Sequence, residues 1–303
     1  MLIVQTPGQN ATPTTGTFNL PAPQVLSTVP SDNAIGVAYG ANIKVVFSQA
    51  MDKGSVQDAF RITYPPAGVA GGFSWSADGR VMTFNPNHDF KHDDVIRYVI
   101  EKTAKSQFGI AMETKVEVNF QVLRVRTVNL QSDPRQTGTV NQPQGDIYSA
   151  IGFYYTGGDW RAFYGFDLSV LPKDLVRITD ANLTLWQMEH KPAAYGPTTG
   201  PLLVQSVYFG TDLSFAAVYA HVNTFCLPQC ASLQVPITAP ADTKKQVDVT
   251  TLVAGDWGRR EAQGSRSQFR LRFSKTDAND VTAAFYSFAD ASHKPSLQIT
   301  YEY

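Results

Sequence analysis

The stretch YGFDLSVLPKDLVRITDANLTLWQ, which runs from Tyr164 to Gln187, decides the fold class. Its beginning is rich in aromatic and apolar residues, and turn-forming residues around Pro172 interrupt it. Its second part alternates between apolar and other residues: Ala181, Asn182, Leu183, Thr184, Leu185 and Trp186. A period of two is typical of a half-buried β-strand. The stretch therefore predicts two strands joined by a turn, and four of its residues are expected in the core: Phe166, Leu168, Leu183 and Leu185.

The composition of the whole chain agrees with an all-β protein. The 303 residues include 18 Pro and 22 Gly, which break the chain into short segments. Long apolar runs with the 3.6-residue period of a helix are absent from the sequence. A chain of this length can form two domains, each with its own core. We therefore expect an all-β fold of two tandem β-sandwiches.

The charge balance excludes one class of partner. The chain has 25 basic and 26 acidic residues, a net charge of -1, and its basic pairs Arg259-Arg260 and Lys244-Lys245 are isolated. A protein that binds a phosphate backbone needs a basic face, so we expect no nucleic-acid partner. There is also no apolar run long enough to predict a transmembrane segment.

The start of the chain favours an extended arm. Residues 1–22 form a tract rich in Pro, Thr, Gly and Asn that is too poor in apolar residues to fold alone. Leu2, Ile3 and Val4 could add as a strand to the sheet edge of a neighbouring molecule, and the alternative is an unstructured terminus. The sequence MLIVQTPGQN lacks the features of a signal peptide. Either a longer precursor exists or the protein leaves the cell by another route, as a virion protein would.

Residues 23–124 predict a first β-sandwich. Seven short strands follow one another at spacings of about 8–12 residues, which is the sequence pattern of a sandwich. Asp78-Gly79 predicts a type I′ hairpin turn. Between Met51 and Phe60 we expect a short helical turn, whose backbone donors Asp52 and Ser55 would satisfy.

Two segments of this unit, VPSDNAIGVAYGANIKVVFSQAMDKGSV and FSWSADGRVMTFNPNHDFKHDDVIRYVI, carry a resemblance to a known family. They resemble the bacterial Ig-like domain of surface-layer and other cell-surface proteins. The matching features are Pro30, Asp32, the strand at 43–47, Met51-Asp52, the hairpin from Trp75 to Phe84, Pro86 and Tyr98. The resemblance covers nearly all of residues 23–124 and implies an Ig-like sandwich in an extracellular or cell-surface protein.

Residues 125–303 predict a second β-sandwich without helices. Ten strand candidates suggest a jelly roll: 126–130, 150–155, 162–167, 181–187, 202–209, 233–237, 245–249, 269–274, 283–288 and 296–301. Leu252, Val253 and Trp257 are expected to form a short capping turn.

The second unit also resembles a family, that of the DNRLRE domains. Three segments carry this resemblance: WRAFYGFDLSVLP with DANLTLW, then QVDVTTLVAGDW, then FYSFADASHKPSLQITYEY. Residues 196–230 depart from the family, because Phe215 and Tyr219 stand where a Trp-containing stretch is expected. The resemblance implies a jelly-roll module, and some members of the family are carbohydrate-binding modules.

The sequence offers little to catalysis. His88 and His92 have metal-like spacing in HDFKHDD, but this run lies between Pro86 and a strand, so we expect a turn. The other histidines are scattered, and neither a G-x-S-x-G elbow nor a Gly-rich phosphate loop is present. We therefore expect a protein that is not an enzyme.

Two further features have open alternatives. Asp277, Asn279 and Asp280 could bind a structural calcium ion, the only cofactor that we expect, or could simply form Asx turns. Cys226 and Cys230, in CLPQC, could form a disulfide, remain free thiols or, with poor spacing, bind a metal.

Glycan binding has its own candidates. Tyr154, Tyr155 and Trp160 flank a Gly-Gly turn in YYTGGDW, where exposed aromatic rings could form a platform for sugars. Trp186 and Tyr195 are further candidates, and ordinary packing is the alternative for all of them.

The preferred hypothesis is a non-enzymatic structural or adhesive component of an extracellular surface assembly, such as an S-layer, appendage or filament. Self-association or contact with neighbouring surface proteins would use sheet edges and the N-terminal arm. The alternatives are a carbohydrate-binding module on an Ig-like spacer, with polysaccharide as partner, and a virion surface or decoration protein.

Overall fold

A computed structural model describes residues 20–139, 148–154, 158–190, 202–213, 232–235, 243–274, 281–287 and 289–303. These residues form strands and only two short α-helices. The chain divides between Arg124 and Val125 into two compact units. The predicted all-β sandwich fold class is confirmed.

The first unit is a sandwich of two four-stranded sheets. Its strands are β1 (Val25–Val29), β2 (Ala34–Val37), β3 (Ile43–Phe47), β4 (Phe60–Tyr64), β5 (Gly71–Trp75), β6 (Val81–Pro86), β7 (Val95–Ile100) and β8 (Val116–Val122). One sheet has the order β1-β3-β6-β5 and the other the order β2-β8-β7-β4. In β3, Ile43 and Val45 are fully buried while Lys44 is exposed, as alternation requires. Both sheets contribute residues to one hydrophobic core, among them Phe47, Phe84, Tyr98 and Phe120.

Helix α1 (Lys53–Ala59) closes part of this core with Val56 and Ala59. The carboxylate of Asp52 accepts a hydrogen bond of 2.7 Å from the backbone N–H of Ser55. This is the N-cap interaction that satisfies a helix donor without an intrahelical partner. The predicted helical turn and its cap are therefore confirmed.

The turn between β5 and β6 differs from the prediction. A type I′ turn needs positive φ at both central residues, but within the turn only Gly79 has one, at 68°. Instead the Gly79 N–H donates to the Ser76 carbonyl oxygen at 3.0 Å, in a loop of five residues. The Asp78 carboxylate accepts from the Ser76 hydroxyl at 2.6 Å and the Arg80 N–H at 3.2 Å. These side-chain hydrogen bonds stabilise a longer loop than the dipeptide predicted.

The second unit contains two further sheets. Its strands are β9 (Val125–Gln131), β10 (Gly138–Thr139), β11 (Tyr148–Tyr154), β12 (Gly158–Trp160), β13 (Ala162–Asp167), β14 (Arg177–His190), β15 (Leu202–Val207), β16 (Ser232–Val235), β17 (Thr243–Asp248), β18 (Arg266–Phe273), β19 (Val281–Tyr286) and β20 (Ser296–Glu302). The five-stranded sheet has the order β10-β13-β18-β15-β16. The seven-stranded sheet has the order β12-β11-β19-β14-β20-β9, and β17 also pairs with β14. The jelly-roll topology and the DNRLRE resemblance stay predictions.

The stretch from Tyr164 to Gln187 crosses from one sheet to the other. β13 pairs with β18 in the five-stranded sheet, whereas β14 pairs with β17, β19 and β20 in the seven-stranded sheet. The four residues expected in the core are at most 1% exposed: Phe166, Leu168, Leu183 and Leu185. The two predicted strands are therefore not a hairpin, and both sheets contribute to one shared core.

A second α-helix corrects the expectation of a helix-free unit. Helix α2 (Thr250–Gly258) stands where only a short capping turn was expected. Leu252, Val253 and Trp257 are buried in the core of the unit. Val253 and Trp257 are one helical turn apart and Leu252 adjoins Val253, so the three lie on one side of the helix. The alternating strand just before them obscures this pattern in the sequence.

Candidate ligand-binding face

Most of the predicted site residues lie outside the described residues: Leu2, Ile3, Val4, Tyr155, Cys226, Cys230, Asp277, Asn279 and Asp280. The arm, the disulfide and the calcium site therefore stay predictions. In the described part of the chain, no group of three or more His, Cys, Asp or Glu side chains is placed to hold a metal ion. His88 and His92 lie in a turn between β6 and β7, as predicted, and His92 packs edge-on against Tyr39.

The aromatic run near Trp160 forms a hairpin rather than a loop. In the pairing of β11 with β12, Tyr154 lies opposite Gly158 and Trp160 opposite Gly152. Ile151 is fully buried in the core. Because alternate strand residues face opposite sides of a sheet, Gly152 and its partner Trp160 belong to the outward face. The Trp160 side chain is partly exposed there.

A second aromatic group lies on the same outward face of the seven-stranded sheet. Trp186 of β14 follows buried Leu185, and Tyr286 of β19 follows buried Phe285, so both rings face outward. The ring of His293 stacks on Tyr286 with a centroid distance of 4.4 Å, and it meets the Trp186 ring at 4.8 Å and 69°. All three rings are partly exposed. We call Trp186, Tyr286 and His293 the aromatic cluster.

Asp290 holds the loop that carries His293. One carboxylate oxygen accepts hydrogen bonds from the backbone N–H groups of Ser292, at 2.8 Å, and His293, at 2.6 Å. The same oxygen lies 3.0 Å from Nδ1 of the His293 ring. Desolvation opposes ionisation of this carboxyl, but the hydrogen bonds from His293 and Ser292 outweigh it and lower the pKa of Asp290. The loop is therefore ordered around an ionised carboxylate that fixes the imidazole.

The long strand β14 explains why the cluster forms at this place. Its first part pairs with β20 from Arg177 to Thr184, and its end pairs with β19 from Gln187 to His190. The loop between β19 and β20 returns at this change of partner and carries His293 to Trp186. Trp186 was predicted as a glycan-binding candidate, whereas Tyr286 and His293 were not. Two features of the sequence could have revealed Tyr286 and His293: the alternation of Phe285 with Tyr286, and the Asx-type turn from Asp290 to His293.

The aromatic cluster has features that can bind a ligand. Partly exposed aromatic rings offer flat apolar surfaces, and imidazole and indole nitrogens at their edges can form hydrogen bonds. The cluster is best described as a small recognition surface.

The buried carboxylate of Asp256 in α2 has a structural role. Its side chain is 1% exposed and accepts hydrogen bonds from the hydroxyls of Ser206, at 2.8 Å, and Ser267, at 2.7 Å. Arg259 donates to it at 3.0 Å. Burial raises the pKa of Asp256, although these hydrogen bonds oppose the shift. The group ties α2 to β15 and β18 and is closed to any substrate.

Comparison with known proteins identifies the fold of the first unit. The sequence profile of the bacterial Ig-like domain matches residues 21–122, which confirms that resemblance. No curated protein sequence matches the chain. No helix in the described ranges is long and apolar enough to cross a membrane.

Several solved structures are similar at low identity. PcoC, a methionine-rich copper resistance protein from Escherichia coli, is 19% identical, over 34% of this chain and 99% of that one, with a TM-score of 0.27. The N-terminal part of the bacterial S-layer protein SbsC is 13% identical, over 49% of this chain and 41% of that one, with a TM-score of 0.27. An L,D-transpeptidase from Mycobacterium smegmatis is 15% identical, over 71% and 74% of the two chains, with a TM-score of 0.25. At such scores these likenesses carry no functional inference.

Proposed function

We propose that the protein is a non-enzymatic structural or adhesive component of an extracellular surface assembly. The observation that supports this most is the match of residues 21–122 to the bacterial Ig-like domain. Such a sandwich closes its own core and can act as a spacer without a ligand. The second unit has a separate core and carries the outward aromatic residues. The pairing of a spacer with a second sandwich suits a protein that builds or decorates a surface.

The sheet edges supply a means of assembly. Among the described strands, β9 ends the seven-stranded sheet and pairs with β20 over seven consecutive residues, from Val125 to Gln131, without a bulge. A regular edge strand offers backbone donors and acceptors to an added strand. We propose that Leu2, Ile3 and Val4 of the N-terminal arm supply such a strand to an edge of a neighbouring molecule.

Assembly of the purified full chain tests this proposal. We expect filaments or sheets in negative-stain electron microscopy, and we expect deletion of residues 1–22 to leave monomers in light scattering. A chain whose arm keeps its length but carries Ser at positions 2, 3 and 4 is the matched control for arm length. Assembly that persists in both variants would contradict the arm, and a full chain that stays monomeric at every concentration would contradict the structural role.

A second candidate function is a carbohydrate-binding module on an Ig-like spacer. The specific observation in its favour is the outward-facing, partly exposed ring of Trp186 with Tyr286 and His293 beside it. Trp160 adds a fourth aromatic residue to the outward side of the same sheet. Retention of the full chain on polysaccharide gels tests this candidate, and failure to bind any glycan of a broad panel would contradict it.

A further inference from the structure

The outward side of four neighbouring strands adjoins the aromatic cluster. The strands lie in the order β9, β20, β14 and β17. One row of paired residues across them is buried and faces the core: Leu130, Leu297, Leu183 and Val247. Because side chains alternate along a strand, the residues on either side of this row face outward.

The outward residues form two rows of polar side chains across the four strands. The first row contains Asn129, Gln298, Asn182 and Asp248. The second row contains Gln131, Ser296, Thr184 and Gln246. We call these eight residues the amide–hydroxyl face. Neighbouring residues in a row are about 5 Å apart, which is the distance between paired strands. Trp186 lies two residues after Thr184 on β14, so the amide–hydroxyl face adjoins the aromatic cluster.

The amides of this face retain capacity for a ligand. Gln298 donates to the Asn129 side chain at 3.2 Å, and Gln246 donates to the Thr184 hydroxyl at 3.3 Å. These contacts hold the side chains across the strands. Each amide can donate two hydrogen bonds and accept two, so most of this capacity still faces solvent. Four of the amide side chains are exposed: Asn129, Gln131, Gln246 and Gln298.

The charges around the face disfavour an anionic ligand. Three carboxylates lie at this face: Asp180 and Asp248 stand beside the amides, and Asp290 stands beside the cluster. In the part of the chain that the structure describes, the lysines on the outward side of these strands and in the loop are Lys244, opposite Trp186, and Lys294, so the face is not basic. Hydrogen bonds from Thr250 lower the pKa of Asp248, so this group is ionised at neutral pH. A polyanion would require a basic surface, whereas the hydroxyls of an uncharged sugar match amide donors and acceptors directly.

We propose that the amide–hydroxyl face and the aromatic cluster together bind a neutral polysaccharide. One sugar ring packs on the indole of Trp186, and the following sugars lie across β14, β20 and β9 with their hydroxyls bonded to the amides. This proposal rests on the carbohydrate-binding candidate and gives it a ligand class. It also places the ligand across β14, β20 and β9, and not at the pair β11–β12 that carries Trp160 on the same side of the sheet.

Affinity electrophoresis of the full chain tests the proposal. The neutral gels contain mixed-linkage β-glucan, galactomannan or starch, and the acidic gels contain alginate or polygalacturonate. We expect retention in at least one neutral gel and none in the acidic gels. We expect Trp186→Ala to weaken binding roughly tenfold or more, and the double variant Asn129→Ala/Gln298→Ala to weaken it several-fold. Phe108→Ala, which removes a ring that is 63% exposed in the first unit, is the matched control and should bind normally.

The outcomes separate this proposal from the function on which it rests. Retention only in acidic gels would overturn the ligand class and leave carbohydrate binding standing. If binding in the neutral gels survives Trp186→Ala and is lost in Trp160→Ala, the proposed position of the binding site is wrong, and the proposed ligand class stands. Absence of retention in every gel would overturn both. Normal thermal unfolding of each variant would show that a loss of binding does not come from a loss of folding. The double variant is expected to disturb folding less than Trp186→Ala, because Asn129 and Gln298 are exposed.

Discussion

At the scale of single residues, buried polar groups decide how the second unit is held together. Asp256 is the clearest case, because a carboxylate that is 1% exposed must be compensated by hydrogen bonds. Ser206, Ser267 and Arg259 provide that compensation. The role of Asp256 could not be predicted, because the two serines lie on β15 and β18 and become its neighbours only when the sheet forms.

We expect Asp256→Asn to destabilise the protein, with a penalty that depends on pH. The change puts an amide NH2 group where a carboxyl oxygen accepts a hydrogen bond from Ser206 or Ser267. This mismatch in a buried site should lower the free energy of unfolding by about 2 kcal/mol. Burial raises the pKa of Asp256 in the folded state. The stability that belongs to its protonated form is present below the unfolded pKa and is lost as the pH rises through the folded pKa. Asparagine does not titrate.

The difference in free energy of unfolding between the parent chain and Asp256→Asn should therefore become smaller from acidic to neutral pH. Urea unfolding of both chains at about pH 4 and about pH 7 measures it. Asp180→Asn, on the outward side of the seven-stranded sheet, is the control for removal of an acid outside this network. A difference that stays constant between the two pH values, or that grows towards neutral pH, would contradict a raised pKa.

At the scale of elements, the alternation of apolar residues predicts the regular strands and fails for the irregular ones. The bounds of β3, β4, β8 and β13 follow directly from the sequence pattern. β1 does not follow the alternation, because a register shift interrupts its pairing near Leu26, whose side chain is 64% exposed. β10 and β12 are too short for a pattern to develop.

The candidate site could also be predicted only in part from the sequence pattern. Its aromatic residues come from β14, β19 and the loop after β19, so about one hundred positions separate Trp186 from His293 in the chain. Periodicity assigns Trp186 and Tyr286 each to one side of a strand. It cannot say that their strands are neighbours, because strand order depends on the packing of the whole unit. Of the three residues of the aromatic cluster, the sequence therefore predicted only Trp186.

One close approach between elements can be tested directly. The short 3-10 helix at Pro134–Gln136 packs on β13 at Gly165, and a Cβ atom added to Gly165 would overlap the side chain of Gln136. Because Gln136 is 1% exposed and bonded to Gln268, it has little room to move. We expect Gly165→Ala to lower the free energy of unfolding by about 1–3 kcal/mol, as overpacking does.

Thermal unfolding of Gly165→Ala beside a matched glycine variant measures this effect. Gly72→Ala is the control, because Gly72 also lies in a strand but has no atom within 4 Å of the added Cβ. The control should unfold within a few degrees of the parent chain. Equal effects of the two changes would mean that the Gln136 side chain moves aside and that the close approach does not affect stability.

At the scale of the whole molecule, each unit is closed by its own core. Among the described residues, the buried members of the first core lie between Ile43 and Val122, and those of the second lie between Leu130 and Ile299. Both sheets of each sandwich contribute to its core. This separation is the property that a spacer requires, because a spacer must keep its fold whatever follows it.

We therefore expect a chain of residues 20–124 to fold alone. Its sandwich is complete, with eight strands, a capped helix and one core, and it ends where the two units divide. The expected result is a single cooperative thermal transition and a dispersed amide spectrum in NMR. The control fragment ends at residue 115 and lacks β8, which pairs with both β2 and β7, so it should remain unfolded. If residues 20–124 also fail to fold, the Ig-like unit depends on the second sandwich, and its role as an independent spacer is wrong.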